Sequence, residues 1–135
     1  IPPKQAADTN SAGGTETVLL VEDESGVASI ITKILTGNGY KVYNASNGME
    51  ALELITGMTG NIPELVITDV IMPKMGGREL VEHLRGDYPG ISVLYISGYI
   101  DTDLLDLAGE PPGTGFMHKP FSPANLLKKV REVLD

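Results

Sequence analysis

The run Leu65-Val-Ile-Thr-Asp69 lacks any alternation of apolar and polar side chains, and it is bounded by Pro63 before it and by Pro73, Gly76 and Gly77 after it. A strand of that composition reads as buried on both faces, as in a parallel sheet between layers of helices. Its one charged residue, Asp69, ends the run. Ligands of open parallel sheets bind outside the carboxyl ends of the strands, so a carboxylate there is a candidate for chemistry. Asp also ends strands simply to cap the following loop, and taken alone the residue decides little.

The remaining segments repeat the theme. Thr17–Val21 is a β-rich apolar run that ends in Glu22-Asp23-Glu24, which delivers acidic groups to the same kind of rim. Val27, Ile30, Ile31, Ile34 and Leu35 then recur at helical spacing, with Gly37 and Gly39 as the stop. Lys41–Ala45 is a short second strand. Asn47, with Glu50 three residues on, caps a helix whose inner face is Ala51, Leu54, Ile55 and Met58. Leu80, Val81 and Leu84 mark a third helix that ends before Pro89. A fourth strand, Ile91 to Ile96, finishes at Ser97-Gly98, and a short acidic helix is expected through Leu104, Leu105, Leu107 and Ala108. Gly115 to His118 is the fifth strand and runs into Lys119-Pro120. Ser122-Pro123 has the N-cap and first-turn proline pattern of a last helix, with Leu126, Leu127, Val130, Val133 and Leu134 inward.

Five strands alternating with five helices through short connections predict an α/β chain with a parallel sheet covered on both faces. Alternation leaves strand order open between the dinucleotide-binding and flavodoxin-like arrangements. The absence of a Gly-x-Gly-x-x-Gly after the first strand weighs against a dinucleotide.

With 135 residues, 41% of them hydrophobic, one domain with a real core is expected. Residues 1–15 carry Pro2, Pro3, Gly13 and Gly14 without periodicity and read as a flexible linker, leaving residues 16–135 as the domain. Eighteen acidic against ten basic residues give a formal charge of -8, which opposes direct contact with nucleic acid or anionic lipid. Lys128, Lys129 and Arg131 are expected on the solvated face of the last helix. No cysteine is present, which excludes thiolate metal sites and disulfides and fits a reducing compartment. No apolar run approaches about 18 residues and no basic-then-apolar leader pattern opens the sequence, so cytoplasm is the expected compartment, without membrane contact by this domain.

Four strand ends therefore carry polar chemistry: Glu22 and Asp23, Asp69, Ser97, and Lys119. Clustered carboxylates suit a hard cation, and Mg²⁺ takes one or two of them with waters and phosphate oxygens. A hydroxyl and a lysine complete a phosphate pocket. Lys119 can offset phosphoryl charge, while the centrally placed Asp69 can attack phosphorus and form an acyl phosphate.

On the motifs Leu-Leu-Val-Glu-Asp-Glu, Thr-Asp-Val-Ile-Met-Pro-Lys-Met-Gly-Gly, Tyr-Ile-Ser-Gly-Tyr and His-Lys-Pro-Phe, the chain resembles the receiver domain of two-component response regulators and hybrid sensor kinases, over nearly all of residues 16–135. The resemblance implies a flavodoxin-like (βα)5 three-layer fold of strand order 2-1-3-4-5. It implies that Asp69 is phosphorylated by a histidine kinase or a histidine phosphotransfer domain. Mg²⁺ would be held by Asp23, Asp69 and the backbone carbonyl of Ile71, with Glu22 assisting through water. Ser97 and Lys119 would bind the phosphoryl oxygens, and the Lys119-Pro120 peptide would be cis. Ser97 and Phe116, the latter standing where many relatives have tyrosine, would form the switch that alters the surface of the fourth predicted helix, fifth strand and last helix.

Such a domain is not itself a conventional enzyme. The expected parent is a hybrid histidine kinase carrying it at the carboxyl end, with a stand-alone regulator as the alternative; a homodimer is compatible with either. A haloacid-dehalogenase-like phosphatase needs a second aspartate two residues after the nucleophile, where this chain has Ile71. Ile71 and Tyr99, both bulky and largely apolar, are expected to flank the path of water to the acyl phosphate and slow its loss. His118 and His83 are expected at the surface.

Overall fold

The structure is a computed structural model that describes residues 14–57, 62–69, 77–97, 113–119 and 121–135. Five parallel strands, β1 (Thr17–Val21), β2 (Lys41–Ala45), β3 (Leu65–Asp69), β4 (Ser92–Ser97) and β5 (Thr114–His118), form one sheet of order β2-β1-β3-β4-β5. This is the flavodoxin-like order. Four helices are present among the described residues: α1 (Ser25–Thr36), α2 (Gly48–Thr56), α3 (Gly77–Asp87) and α4 (Pro123–Leu134). The helix expected through Leu104 to Ala108 lies outside the described residues, as do Met58, Ile71, Tyr99 and Pro120.

Period-two alternation along each strand divides the core between the two faces of the sheet. Leu19, Val21, Val66, Val93 and Tyr95 point to one side, where Ala51 and Ile55 of α2 and Leu80, Val81 and Leu84 of α3 cover them. Val18, Leu20, Leu65, Ile67, Leu94 and Ile96 point to the other, against Ile31 and Leu35 of α1 and Leu126, Leu127, Val130 and Val133 of α4. Because β3 is central, all five of its residues are buried. Each fully buried aliphatic side chain of this kind contributes roughly 1.5–3 kcal/mol.

Local signals set the helix ends. The Asn47 side chain accepts the Glu50 amide at 2.9 Å, and the Glu50 carboxylate reaches back to the Ser46 amide at 2.9 Å, so two amides at the start of α2 are satisfied reciprocally. Ser122 caps α4 by accepting the Asn125 amide at 3.1 Å, with Pro123 in the first turn. In α1 the apolar stripe is wider than the buried face. Ile31 and Leu35 are buried while Ile30 is 58% exposed, because one helix face resting on a sheet cannot bury five positions of that spacing.

Two glycines permit close approaches. A Cβ on Gly115 of β5 would lie 2.5 Å from Val133 Cγ2, so α4 sits on that strand only because the side chain is missing. Gly39 has φ +101°, and a Cβ there would lie 2.3 Å from the Gly14 carbonyl oxygen.

Arg131 departs from expectation. Instead of lying on a solvated face with Lys128, it is partly buried, and its Nη1 donates to both carboxylate oxygens of Glu16 at 2.9 and 3.0 Å and to the Tyr40 hydroxyl at 3.3 Å. Its other nitrogens pair with Asp135. The clamp joins the end of α4 to the start of β1. Burial alone would raise the Glu16 pKa, but the Arg131 hydrogen bond and charge outweigh it and hold the carboxyl below its usual range. Burial pushes the Tyr40 hydroxyl up.

Arg131→Met is expected to cost about 1–2 kcal/mol of stability at pH 7. Glu16 titrates lower folded than unfolded, so its contribution is present above the ordinary carboxylate pKa and is lost as pH falls through the folded value. Urea unfolding curves of wild type and variant should therefore converge in acid; a gap that stays constant with pH would contradict the assignment.

Candidate functional site

Strand register assembles the site. Val21 pairs with Thr68 across β1 and β3, so the next residues on the two strands, Glu22 and Asp69, arrive side by side at the carboxyl edge. Asp69 is also level with Ile96 of β4, and Ser97 is level with His118, which puts Lys119 one step beyond the end of β5. Lys119 is two strands away from Asp69. A shorter side chain could not cross β4 to reach it.

It does reach: Lys119 Nζ donates to Asp69 Oδ2 at 2.9 Å and to Glu24 Oε1 at 3.4 Å. It also lies 3.1 Å from Glu22 Oε1. That last contact lacks hydrogen-bond alignment, so Glu22 Oε1 is paired by charge while its accepting capacity is left unused. The other Glu22 oxygen accepts the Glu24 amide at 3.1 Å, and the Glu22 backbone amide is tied to the Ala45 carbonyl of β2. Asp69 is anchored in the core by Thr68, which is fully buried and whose hydroxyl donates to the Asp69 carbonyl at 3.0 Å.

The electrostatics follow from the geometry. Burial pushes the Glu22 carboxyl above its ordinary pKa, with the Glu24 amide and Lys119 working in the opposite direction. For Lys119, burial opposes the charged form, but the hydrogen bond to Asp69 and the close charges of Asp69 and Glu22 prevail and hold the ammonium well above the usual lysine value. Lys119 is therefore a fixed cation, suited to meeting an anion.

Glu22, Glu24 and Asp69 each bring a carboxylate oxygen within 4.8 Å of the others. Three hard oxygen donors, one with unused accepting capacity in a buried position, fit a hydrated divalent cation of the Mg²⁺ type. Asp23, expected as a ligand, is exposed and outside this trio; it lines the adjoining cleft between α1 and β2 with Glu22, Ser25 and Ser29. Glu24 is the member that sequence reasoning passed over, although it was visible as the third acid of Glu22-Asp23-Glu24.

Ser97 occupies the last position of β4, and its side chain lies outside what the structure describes. Ile71 and Tyr99 are outside the described residues. Phe116 is half-buried, packed beside Tyr95 against the core shared with α2 and α3, and its ring meets the exposed His118 edge to face at a centroid separation of 4.7 Å. His83 is exposed on α3. Among the described residues, no helix is long and apolar enough to cross a membrane.

Comparison with known proteins agrees with this architecture. The response regulator receiver domain model matches residues 18–131. The sensor kinase CckA of Brucella abortus (strain 2308) is 36% identical over 132 residues, covering 98% of this chain and 14% of that protein. Sporulation initiation phosphotransferase F of Bacillus subtilis (strain 168) is 26% identical over 119 residues, covering 88% of this chain and 94% of that protein. The chain spans about half the length of relatives such as the response regulator MprA of Mycobacterium sp. (strain KMS), with which it shares 33% identity over 118 residues. Among solved structures, the receiver domain of the hybrid histidine kinase CckA superposes with a TM-score of 0.73 at 34% identity, covering 88% of this chain and 99% of that one. A receiver domain protein from Clostridium thermocellum gives 0.77 at 26% identity, covering 88% and 94%.

Lys119→Met would leave the three carboxylates facing one another without their counter-charge. Without divalent cations, the variant is expected to lose about 3 kcal/mol of stability, and millimolar Mg²⁺ should restore more of that loss than it adds to wild type. Thermal unfolding with and without the cation checks this; an equal deficit under both conditions would contradict it.

Proposed function

Because the chain belongs to the response regulator receiver domain family, we propose that it accepts a phosphoryl group from a phosphohistidine onto Asp69. The single observation that carries this reading is the buried Asp69 carboxylate held 2.9 Å from the Lys119 ammonium at the carboxyl edge of the sheet. A carboxylate oxygen of Asp69 forms the new P–O bond as the P–N bond to imidazole breaks, and the imidazole nitrogen takes up a proton. Lys119 binds the phosphoryl oxygens as they exchange partners, and the pocket walls keep competing water away from the phosphorus. Mg²⁺, when bound, offsets the charge of the phosphoryl group and of the surrounding carboxylates. Glu22, Asp23, Asp69 and the Ile71 carbonyl are the groups proposed to hold it.

Phosphorylation adds nearly two negative charges at one end of the sheet. In this reading Ser97 moves to the phosphoryl group and Phe116 turns inward, and the surface around β5 and α4 changes. The shift is bounded by the difference in phosphoryl contacts between the two states. Partners are a histidine kinase or a histidine phosphotransfer domain, in the cytoplasm, without direct contact to nucleic acid. A hybrid histidine kinase is the proposed parent, supported by the 36% identity to sensor kinase CckA across nearly the whole chain. Homodimerisation is compatible with the reading and is not required by it.

Incubation with phosphoramidate and Mg²⁺ should add one phosphoryl group per chain, and none to Asp69→Asn. Equal labelling of the variant would overturn the proposal. Ile71 and Tyr99 are proposed to prolong the phosphoryl lifetime by excluding water, so Ile71→Asn should shed label roughly tenfold faster, an opening of the water path worth about one decade in rate. Matching decay rates in the two proteins would remove Ile71 from that role.

A further inference from the structure

We infer that Glu24 is a placeholder for the incoming phosphoryl group: it occupies the Lys119 contact that a phosphoryl oxygen must take, and so sets how readily an anionic donor enters the pocket. This rests on the reading of Asp69 as the phosphoacceptor. A lysine ammonium has three N–H donors. Three carboxylate oxygens lie within 3.4 Å of Lys119 Nζ: Asp69 Oδ2 at 2.9 Å, Glu22 Oε1 at 3.1 Å and Glu24 Oε1 at 3.4 Å. Asp69 and Glu24 take hydrogen bonds from the ammonium while Glu22 approaches it by charge alone, so a phosphoryl oxygen drawn to Lys119 competes with oxygens that already crowd it.

The three differ in what release would cost. Asp69 is the nucleophile and is bonded to the phosphoryl group afterwards. Glu22 has a side chain only 1% exposed, held by the Glu24 amide, and it has no solvent to turn into. The Glu24 side chain is 65% exposed and makes the longest of the three contacts. Swinging outward exchanges one weak ion pair for full hydration, which makes Glu24 the partner given up. Until then its charge stands at the pocket mouth, repels anionic donors and occupies the ammonium. Glu24 is thus a positioning residue that acts through Lys119 and touches neither phosphorus nor the acceptor.

The test follows initial rates of phosphoprotein formation with phosphoramidate at saturating Mg²⁺ for wild type, Glu24→Gln and Glu53→Gln. Glu53→Gln removes one exposed negative charge from α2, away from the site. Glu24→Gln should lower the half-saturating donor concentration about fivefold, the size of one unit-charge interaction at ~4 Å in water, at an unchanged maximal rate. The Glu53 variant should match wild type. No change in Glu24→Gln, or an equal change in both variants, would overturn the inference. So would a shift in the half-saturating Mg²⁺ concentration with the donor dependence unaltered, since Glu24 would then act through the cation alone. If wild type itself takes up no phosphoryl group, the phosphoacceptor reading fails; if wild type is labelled and Glu24→Gln behaves identically, only the placeholder role fails.

Discussion

Everything at the carboxyl edge of this sheet depends on one ammonium group surrounded by three carboxylates. Glu22 and Asp69 are brought side by side by the β1–β3 register, and two adjacent buried carboxylates repel each other unless a cation intervenes. Lys119 supplies it from two strands away. An internal cation offsets the charge of the gathered acids, and a divalent metal then competes for acids already in place. The same ammonium is what a phosphoryl group would meet.

The opposite edge is held by a second charge cluster with a different purpose. Arg131 binds Glu16, Tyr40 and Asp135 and so ties the end of α4 to the beginning of β1. Gly14 lies against this clamp, where an added Cβ would meet Glu16, Arg131 and Tyr40 within 3 Å. The two clusters sit at opposite ends of the same strands. One is open to solvent on the Glu24 side, whereas the other ties α4 to β1, so α4 is anchored at its far end while the β5 end faces the site.

Much of this was legible in the sequence because punctuation coincided with chemistry. The bounds of β1, β2 and β3 follow their apolar runs, and the Asn47 and Ser122 caps are local signals that need no tertiary context. Asp69, Glu22 and Lys119 were recognisable since strand ends in a parallel sheet share an edge. Other features depend on packing. Which of three consecutive acids turn toward Lys119 is decided by where β1 stops and α1 starts, and the outcome is Glu22 and Glu24 in the trio with Asp23 outside it. The Arg131 clamp joins residues 115 positions apart, and no periodicity announces it. Ile30 fits the apolar stripe of α1 yet stays exposed, because the width of a helix face against a sheet is a tertiary property.

The central claim is that Asp69 carries the phosphoryl group as an acyl phosphate with Lys119 as its counter-ion. Borohydride reduction of the phosphorylated protein converts an aspartyl phosphate to homoserine, and peptide mass spectrometry then identifies the position. The account predicts homoserine at position 69 alone, and greatly reduced yield in a Lys119→Met background. Homoserine at another acid of the pocket, or label recovered on His83 or His118, would contradict it.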